Sequence, residues 1–138
     1  MRFLLDTNVL SEVRKQKPHG GVLAWFTSVH LTASMFIPSI ALFELQMGVE
    51  QLRPKDPLRA ASFEFWVSRL GAAANVLPLD AEAGREAARL LAGKPMHLVA
   101  DAMIAAIAKV NALTIATRNT RDFEQFAVPL VDPFKYTV

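Results

Sequence analysis

Short apolar runs alternate along the chain with longer segments in which apolar residues recur every three or four positions. Compact runs rich in Val, Ile, Leu and Phe indicate buried strands, whereas the longer period indicates amphipathic helices. Strands are predicted at residues 2–5, 34–38, 76–79, 113–117 and 128–131, and helices after Asp6 and at about 22–29, 40–52, 58–74, 81–92, 98–110 and 120–126. The alternation predicts an α/β domain with a mainly parallel sheet of about five strands. Right-handed crossovers in such a domain place ligands beyond the carboxyl ends of the strands.

Polar residues at the ends of these segments are predicted to cap the helices. Ser39 and Asp80 each precede an apolar helical segment. Their short side chains can accept hydrogen bonds from the free N–H groups of the first turn. Asn111 follows the most apolar helix and is a predicted C-cap in the left-handed conformation, which Asn adopts more readily than most residues.

Composition places the chain among globular proteins and restricts its chemistry. Apolar residues make up 52% and charged residues 20% of the 138 residues, which excludes a disordered chain. There is no internal repeat or long linker, so one domain over residues 1–138 is expected. Fifteen Lys and Arg against thirteen Asp and Glu leave a formal charge of +2, which says little about nucleic-acid binding. The absence of cysteine excludes disulfides, zinc–thiolate sites and thiol catalysis.

No segment of the sequence has the pattern of a signal peptide or a transmembrane helix. Asp6 interrupts the apolar stretch near the first residue, and the apolar segment 98–110 is short and contains Asp101 and Lys109. We therefore expect a cytoplasmic protein that does not contact a membrane.

Three acidic residues lie in apolar surroundings where a carboxylate needs an explanation. Asp6 directly follows the first predicted strand, and Glu44 lies within the apolar segment 40–45. Each has an ordinary alternative, because Asp6 could be an N-cap and Glu44 could face solvent. Asp101 is harder to explain in that way, since it lies one turn into the most apolar helix with no Lys or Arg at pairing distance along that helix.

These three acids are predicted to meet at one edge of the sheet. Each begins a helix or lies in its first turns, and in a parallel sheet such positions face the same edge. Two carboxylates about 4 Å apart repel by roughly 4 kcal/mol at an effective dielectric constant of about 20, so three of them need a counter-ion. Because carboxylate oxygens favour hard cations, the sequence predicts a Mg²⁺ or Mn²⁺ site formed by Asp6, Glu44 and Asp101.

A fourth polar segment, residues 117–123, follows the clearest predicted strand. Asn119 and Asp122 lie just past the carboxyl end of that strand, so they could complete the ligand set or orient a water molecule. Ordinary turn and cap roles are the alternative. Arg118 and Arg121 could contact a phosphate or could simply be solvated surface charges. The same two interpretations apply to Arg14, Lys15 and Lys17 after the first helix.

In their order along the chain, these segments resemble the PIN-domain nucleases. The similarity is greatest to the VapC-type toxins of bacterial toxin–antitoxin pairs, including the FitB-like branch. The segments that carry the resemblance are residues 4–10, 40–48, 101–106 and 114–123. Each alone is a weak signal, whereas the four in family order span nearly the whole chain and are a strong one.

The resemblance implies a three-layer α/β/α fold, a homodimer, a small DNA-binding antitoxin as partner, and RNA cleavage that depends on Mg²⁺ or Mn²⁺. By position, Asp6, Glu44 and Asp101 correspond to the acidic metal-site residues. Thr7 corresponds to the hydroxyl residue that supports the first Asp. Asn119 stands where many relatives carry Asp, and Asp122 is the candidate to supply that charge.

Two other functions compete with the nuclease. An aspartyl-phosphate phosphatase also places an Asp after the first strand, but it needs a second Asp two residues later, where this chain has Asn8. The other alternative is a catalytically weak protein that acts mainly with a DNA-binding antitoxin in a transcription-regulating complex. RNA cleavage by the purified protein distinguishes this alternative from the nuclease.

Overall fold

The computed structural model describes residues 1–30, 33–73 and 75–138, in which short strands alternate with helices. The strands are β1 (Arg2–Leu5), β2 (Ser34–Pro38), β3 (Asn75–Leu77), β4 (Thr114–Ala116) and β5 (Leu130–Val131). The helices are α1 (Thr7–Arg14), α2 (Gly20–Val29), α3 (Ser39–Leu52), α4 (Pro57–Ala73), α5 (Ala81–Leu91), α6 (Val99–Val110) and α7 (Thr120–Glu124). Two short 3-10 turns are Met96–Leu98 and Pro133–Lys135. In this described part, no helix is long and apolar enough to cross a bilayer.

The five strands form one sheet in the order β3-β2-β1-β4-β5, and every neighbouring pair is parallel. The prediction of a mainly parallel sheet is therefore confirmed. β1 lies at the centre, where Leu4 pairs with Phe36 of β2 on one side and Leu5 pairs with Ala116 of β4 on the other. β1, the first strand of the chain, is therefore paired with β4, one of the last two strands.

Apolar side chains on both faces of the sheet produce three layers. In β1, Phe3 and Leu5 pack into a core cluster with residues of α1 to α4, whereas Leu4 packs into a second cluster with residues of α5 to α7. β4 alternates in the same way, with Ala116 in the first cluster and Ile115 in the second. A parallel sheet that is covered on both faces needs such continuous apolar strands. The α/β/α arrangement agrees with the expected fold.

The carboxyl ends of the three central strands lie side by side because all strands run in one direction. The backbone N–H of Asp6 donates to the carbonyl of Ala116 at 3.0 Å, which joins the ends of β1 and β4. β2 ends at Pro38, and α3 begins at the next residue. Residues that immediately follow β1, β2 and β4 therefore share one edge of the sheet.

Most predicted boundaries agree with the structure within a few residues, as expected for helix and strand ends. The predicted end of helix 58–74 lies outside the described residues. Ser39 was predicted to be an N-cap, and this prediction is wrong, since Ser39 is the first residue of α3 and Pro38 precedes it. The Ser39 hydroxyl instead accepts the N–H of Leu79 at 3.3 Å and so joins α3 to the end of β3. Asp80 does cap α5, because its carboxylate accepts the N–H of Ala83 at 2.9 Å.

The left-handed residue after α6 is Ala112, with φ of 55°, rather than the predicted Asn111, whose φ is −105°. Asn111 caps the helix with its side chain, because its amide donates to the carbonyl of Ile107 at 2.8 Å. That hydrogen bond keeps Asn111 close to helical geometry, so the chain reverses one residue later than predicted.

Candidate active site

Asp6 occupies the junction between β1 and α1, and its side chain is held by three hydrogen-bond donors. Asp6 is buried, with 5% of the residue exposed. One oxygen, Oδ1, accepts the N–H of Thr7 at 2.8 Å, which makes Asp6 the N-cap of α1. The other oxygen, Oδ2, accepts the hydroxyl of Thr117 at 2.7 Å and the amide of Asn8 at 3.2 Å. The N-cap interpretation and the buried position at the sheet edge therefore both apply to this residue.

Burial raises the pKa of Asp6 above its ordinary value despite these donors. Loss of hydration disfavours the charged form and is the largest cause, and the negative charge of Glu44 acts in the same direction. The hydrogen bonds from Thr117, Thr7 and Asn8 lower the pKa, but they compensate only in part. Asp6 is thus a carboxylate whose ionisation is opposed by its surroundings.

Thr7 connects Asp6 to Glu44. Its backbone N–H donates to Asp6, and its hydroxyl donates to Oε1 of Glu44 at 2.8 Å. Glu44 lies in α3 and is half-buried, so α3 turns this carboxylate towards the start of α1 rather than into open solvent. The supporting position expected for Thr7 agrees with these contacts, although they are to two acids and not to Asp6 alone.

Asp101 lies half-buried in the first turn of α6, and no donor holds it. In the parts of the chain that the structure describes, its carboxylate makes no side-chain hydrogen bond or ion pair. Its pKa is raised from 3.8 to about 6. Burial is the largest cause, followed by the charges of Asp6, Asp122 and Glu44, while His97 acts weakly in the opposite direction. The negative charges of these three acids therefore act on Asp101 from the same edge of the sheet.

Asn119 and Asp122 also reach this edge. The side-chain amide of Asn119 donates to Oδ2 of Asp122 at 3.0 Å, and the Asn119 backbone N–H donates to the hydroxyl of Thr117 at 2.9 Å. Asp122 is half-buried and contributes to the raised pKa of Asp101. The neutral Asn119 therefore orients the acid that lies three residues further along the chain.

Two residues of the site were not among the residues selected from the sequence. Thr117 is completely buried and links Asp6, Asn8 and Asn119 through its hydroxyl. Asn8 donates to Asp6 and accepts the backbone N–H of Arg118 at 3.1 Å. Thr117 is the polar last residue of the predicted strand 113–117, but its contact with Asp6 becomes visible only because Leu5 pairs with Ala116 in the sheet.

The donor chemistry of this site suits a hard divalent cation, because all four acids offer carboxylate oxygens and none is neutralised by a cationic side chain that the structure describes. As the side chains stand, no three His, Cys, Asp or Glu residues in the described ranges are close enough to hold one ion together. Asp6 and Glu44 are held by hydrogen bonds, whereas the Asp101 carboxylate accepts none from the residues that the structure describes.

In metal-free buffer, we expect Asp101→Asn to raise the melting temperature by a few degrees at pH 8 and to leave it unchanged at pH 4. A folded-state pKa of about 6, above the ordinary 3.8, means that the folded protein loses stability as pH rises from 4 through 6. At pH 8, the ionised Asp101 lowers the free energy of unfolding by about 1 kcal/mol, a value that is reduced because the side chain is partly exposed. Glu82→Gln, at an exposed acid in the first turn of α5, is the matched control for thermal melts across this pH range. Equal shifts for both variants at every pH would contradict the prediction.

The fold and the site together place this chain in one class of proteins. Its members have three α/β/α layers and carry several carboxylates at the carboxyl edge of a parallel sheet. The family model "PIN domain" matches residues 3–129. The chain is 32% identical over 144 residues to the VapC ribonuclease Y4jK of Sinorhizobium fredii, covering 96% of this chain and 98% of that protein. It is 32% identical over 139 residues to the toxin FitB of Neisseria gonorrhoeae, with the same two coverages.

A similar solved structure supports the same family. A chain in the DNA-bound VapBC structure from Salmonella typhimurium superposes with a TM-score of 0.71 at 32% identity, covering 96% of this chain and 98% of that one. The chain therefore belongs to the PIN-domain family, in the branch of the VapC and FitB toxins. The resemblance inferred from the four sequence segments is confirmed.

Proposed function

We propose that this chain is a metal-dependent endoribonuclease, the toxin of a type II toxin–antitoxin system. The observation that carries the proposal is Asp101, a half-buried carboxylate that accepts no hydrogen bond from the described residues and whose pKa is raised by burial and by the charges of three further acids. A cation would turn this repulsion into attraction. The relative named as a VapC ribonuclease supports RNA as the substrate.

In the proposed reaction, Asp6 and Asp101 would hold Mg²⁺ or Mn²⁺, and Glu44 would support the ion directly or through water. When bound, the ion supplies charge stabilisation at the phosphate and makes a water molecule more acidic. Glu44 and Asp122 are the two candidates to orient that water and accept its proton, since each is half-buried and held by one donor. Hydrolysis of the phosphodiester then leaves one phosphate and one hydroxyl terminus.

The surrounding polar residues act by holding these acids in place. Thr7 fixes the Glu44 carboxylate through its hydroxyl, and Asn119 fixes Asp122 through its amide. Thr117 and Asn8 donate to the same oxygen of Asp6, which favours its charged form. We therefore assign positioning roles to these residues and keep the catalytic role for the four acids.

Purified protein that has been freed of any antitoxin is expected to cleave single-stranded RNA in Mg²⁺ or Mn²⁺. Adding EDTA should slow cleavage by roughly a hundredfold or more, because the acids alone repel the phosphate. Excess Mg²⁺ should restore the rate, as measured by gel analysis of a labelled RNA of mixed sequence.

Two results would count against this proposal. Cleavage that persists in EDTA would exclude the metal mechanism. No cleavage of any RNA, with Mn²⁺ binding measured directly, would favour the second candidate, a weak nuclease that acts with a DNA-binding antitoxin. The DNA-bound complex that contains a relative of this chain is the observation that keeps this candidate open.

A homodimer and a small antitoxin complete the proposed assembly. Phe43 and Met47 lie one turn apart on α3 and are 64% and 44% exposed, so they are our candidates for the surface that a second copy covers. The antitoxin is proposed as the partner on the basis of the VapBC complex.

A further inference from the structure

A cleft of about 640 Å³ lies between the end of α1 and the outer face of α4, outside the acid site. Its lining consists of Arg14, Lys15, Gln16, Arg59, Ser62 and Trp66. None of these side chains is a carboxylate, and each polar one can donate a hydrogen bond. We call this feature the basic cleft. Its lining suits an anion.

Two of the cations in the basic cleft have no acidic partner among the residues that the structure describes. Lys15 is paired with Glu12 at 2.9 Å. Arg14 and Arg59 are exposed, and in the described part of the chain neither forms an ion pair. Asp56 accepts the backbone N–H of Arg59 and not its guanidinium. Two guanidinium groups are therefore free to bind a ligand.

Arg14 is held in position by aromatic rings. Its guanidinium carbon lies 4.1 Å from the ring centroid of Phe63 and 5.7 Å from that of Trp66. Stacking on a ring face restricts the long side chain but leaves the N–H groups at the guanidinium edge free to donate. A pre-oriented guanidinium loses less entropy when it binds an anion than a freely moving one.

Two helices, α1 and α3, connect the basic cleft to the acid site. Thr7 and Arg14 are seven residues apart in α1, which is about two turns on one side of the helix and roughly 10 Å. On α3, Gly48 follows Glu44 by one turn, and Phe63 packs so closely that a Cβ on Gly48 would lie 3.3 Å from its ring. Arg14 stacks on that same Phe63.

We propose that the basic cleft binds a phosphodiester group of the RNA strand that is cleaved at the acid site, an inference that rests on the proposed nuclease function. A guanidinium binds two phosphate oxygens at once, and the two free arginines supply this contact from two helices. At about 3.4 Å per nucleotide, a stacked strand spans the distance from Thr7 to Arg14 with roughly three nucleotides.

RNA fits these observations better than an acidic protein segment does. The half-buried Trp66 borders the same cleft and offers an aromatic surface on which an unpaired base can stack. The cleft is also connected to the acid site through α1, which begins next to Asp6, and through Phe63, which packs on α3 at Gly48. The cleft therefore extends the substrate site instead of forming a second one.

The test measures RNA binding without cleavage, in the Asp6→Asn background with Mg²⁺ present. A fluorescein-labelled single-stranded RNA of about twelve nucleotides is titrated by anisotropy at several salt concentrations. We expect Arg59→Gln to weaken binding about tenfold, because it removes a charge-assisted hydrogen bond. The slope of log affinity against log salt should fall by about 0.7, the value for one phosphate contact on a single strand.

Arg69→Gln is the matched control, because Arg69 is also an exposed arginine on α4, stacks on Phe65 at 5.7 Å and does not line the cleft. Equal affinities and salt slopes for the two variants would overturn the proposal. Unchanged RNA binding with weaker capture of a co-expressed antitoxin would also overturn it, in favour of a protein ligand. A selective effect of Arg59→Gln, with no RNA cleavage by the unmodified protein, would support the cleft and contradict the nuclease.

Discussion

Replacing Asp6 with Asn is expected to slow metal-dependent RNA cleavage by about a hundredfold or more while the protein stays folded. Changes to residues that only support a metal ligand already cost ten- to a hundredfold, so loss of a proposed ligand should cost at least as much. Asn caps a helix as well as Asp does, so the start of α1 is preserved. Single-turnover rates at saturating Mn²⁺ and circular dichroism together measure both parts of this prediction.

Asp80→Asn provides the matched control for that variant. Asp80 is also an N-cap after a strand, its carboxylate accepts a backbone N–H at 2.9 Å, and β3 lies two strands away from β1 in the sheet. The same chemical change there should leave the cleavage rate near that of the unmodified protein. A rate for Asp6→Asn that matches the Asp80→Asn rate would remove Asp6 from the proposed mechanism.

Thr117→Val should reduce cleavage at neutral pH by roughly ten- to a hundredfold and shift the acid limb of the pH–rate profile upwards. Valine has nearly the same shape, but it removes the hydroxyl that donates to Asp6 at 2.7 Å. That hydrogen bond lowers the pKa of Asp6, so its loss raises a pKa that burial already keeps above the ordinary value. More Asp6 is then protonated at a given pH, and a higher pH is needed to ionise it.

The pH dependence separates this positioning role from a merely structural one. Thr114→Val changes the same residue type at the start of β4, three residues before Thr117, at a side chain that is not part of the acid site. It should leave the profile unchanged. A Thr117→Val profile that keeps its shape and loses only amplitude would mean that the hydroxyl supports the local fold and not the charge on Asp6.

The fold and much of the site could be predicted from the sequence because both depend on local patterns. Alternating apolar strands and helices determine a parallel sheet, and a parallel sheet brings the residues that follow its strands to one edge. Asp101 could be selected on physical grounds, since an unpaired carboxylate in an apolar helix is energetically costly. Asp6 and Glu44 depended more on the family resemblance, because a cap or a rim position explained each of them equally well.

Other features depend on contacts between residues that are distant in sequence. Nothing near Thr117 in the chain shows that its hydroxyl reaches Asp6, and the pairing of β1 with β4 is needed to see it. The basic cleft likewise joins Arg14 to Arg59 only after α1 and α4 have packed. Asn111 shows that local patterns can also mislead. Its side chain caps the helix, as the residue type favours, but the left-handed residue is Ala112.

The central position of β1 also determines when the acid site can exist. Asp6 and its donor Thr117 are separated by 111 positions in the chain, and β1 cannot pair with β4 until β4 has been synthesised. Contacts of such long sequence separation form late in folding, because a large loop must close first. A nascent chain on the ribosome therefore carries Asp6 and Glu44 before the site is assembled, and a chain truncated before β4 lacks the strand that brings Thr117 to Asp6. In a cell, the acid site is therefore complete only after nearly the whole chain has been synthesised and has folded.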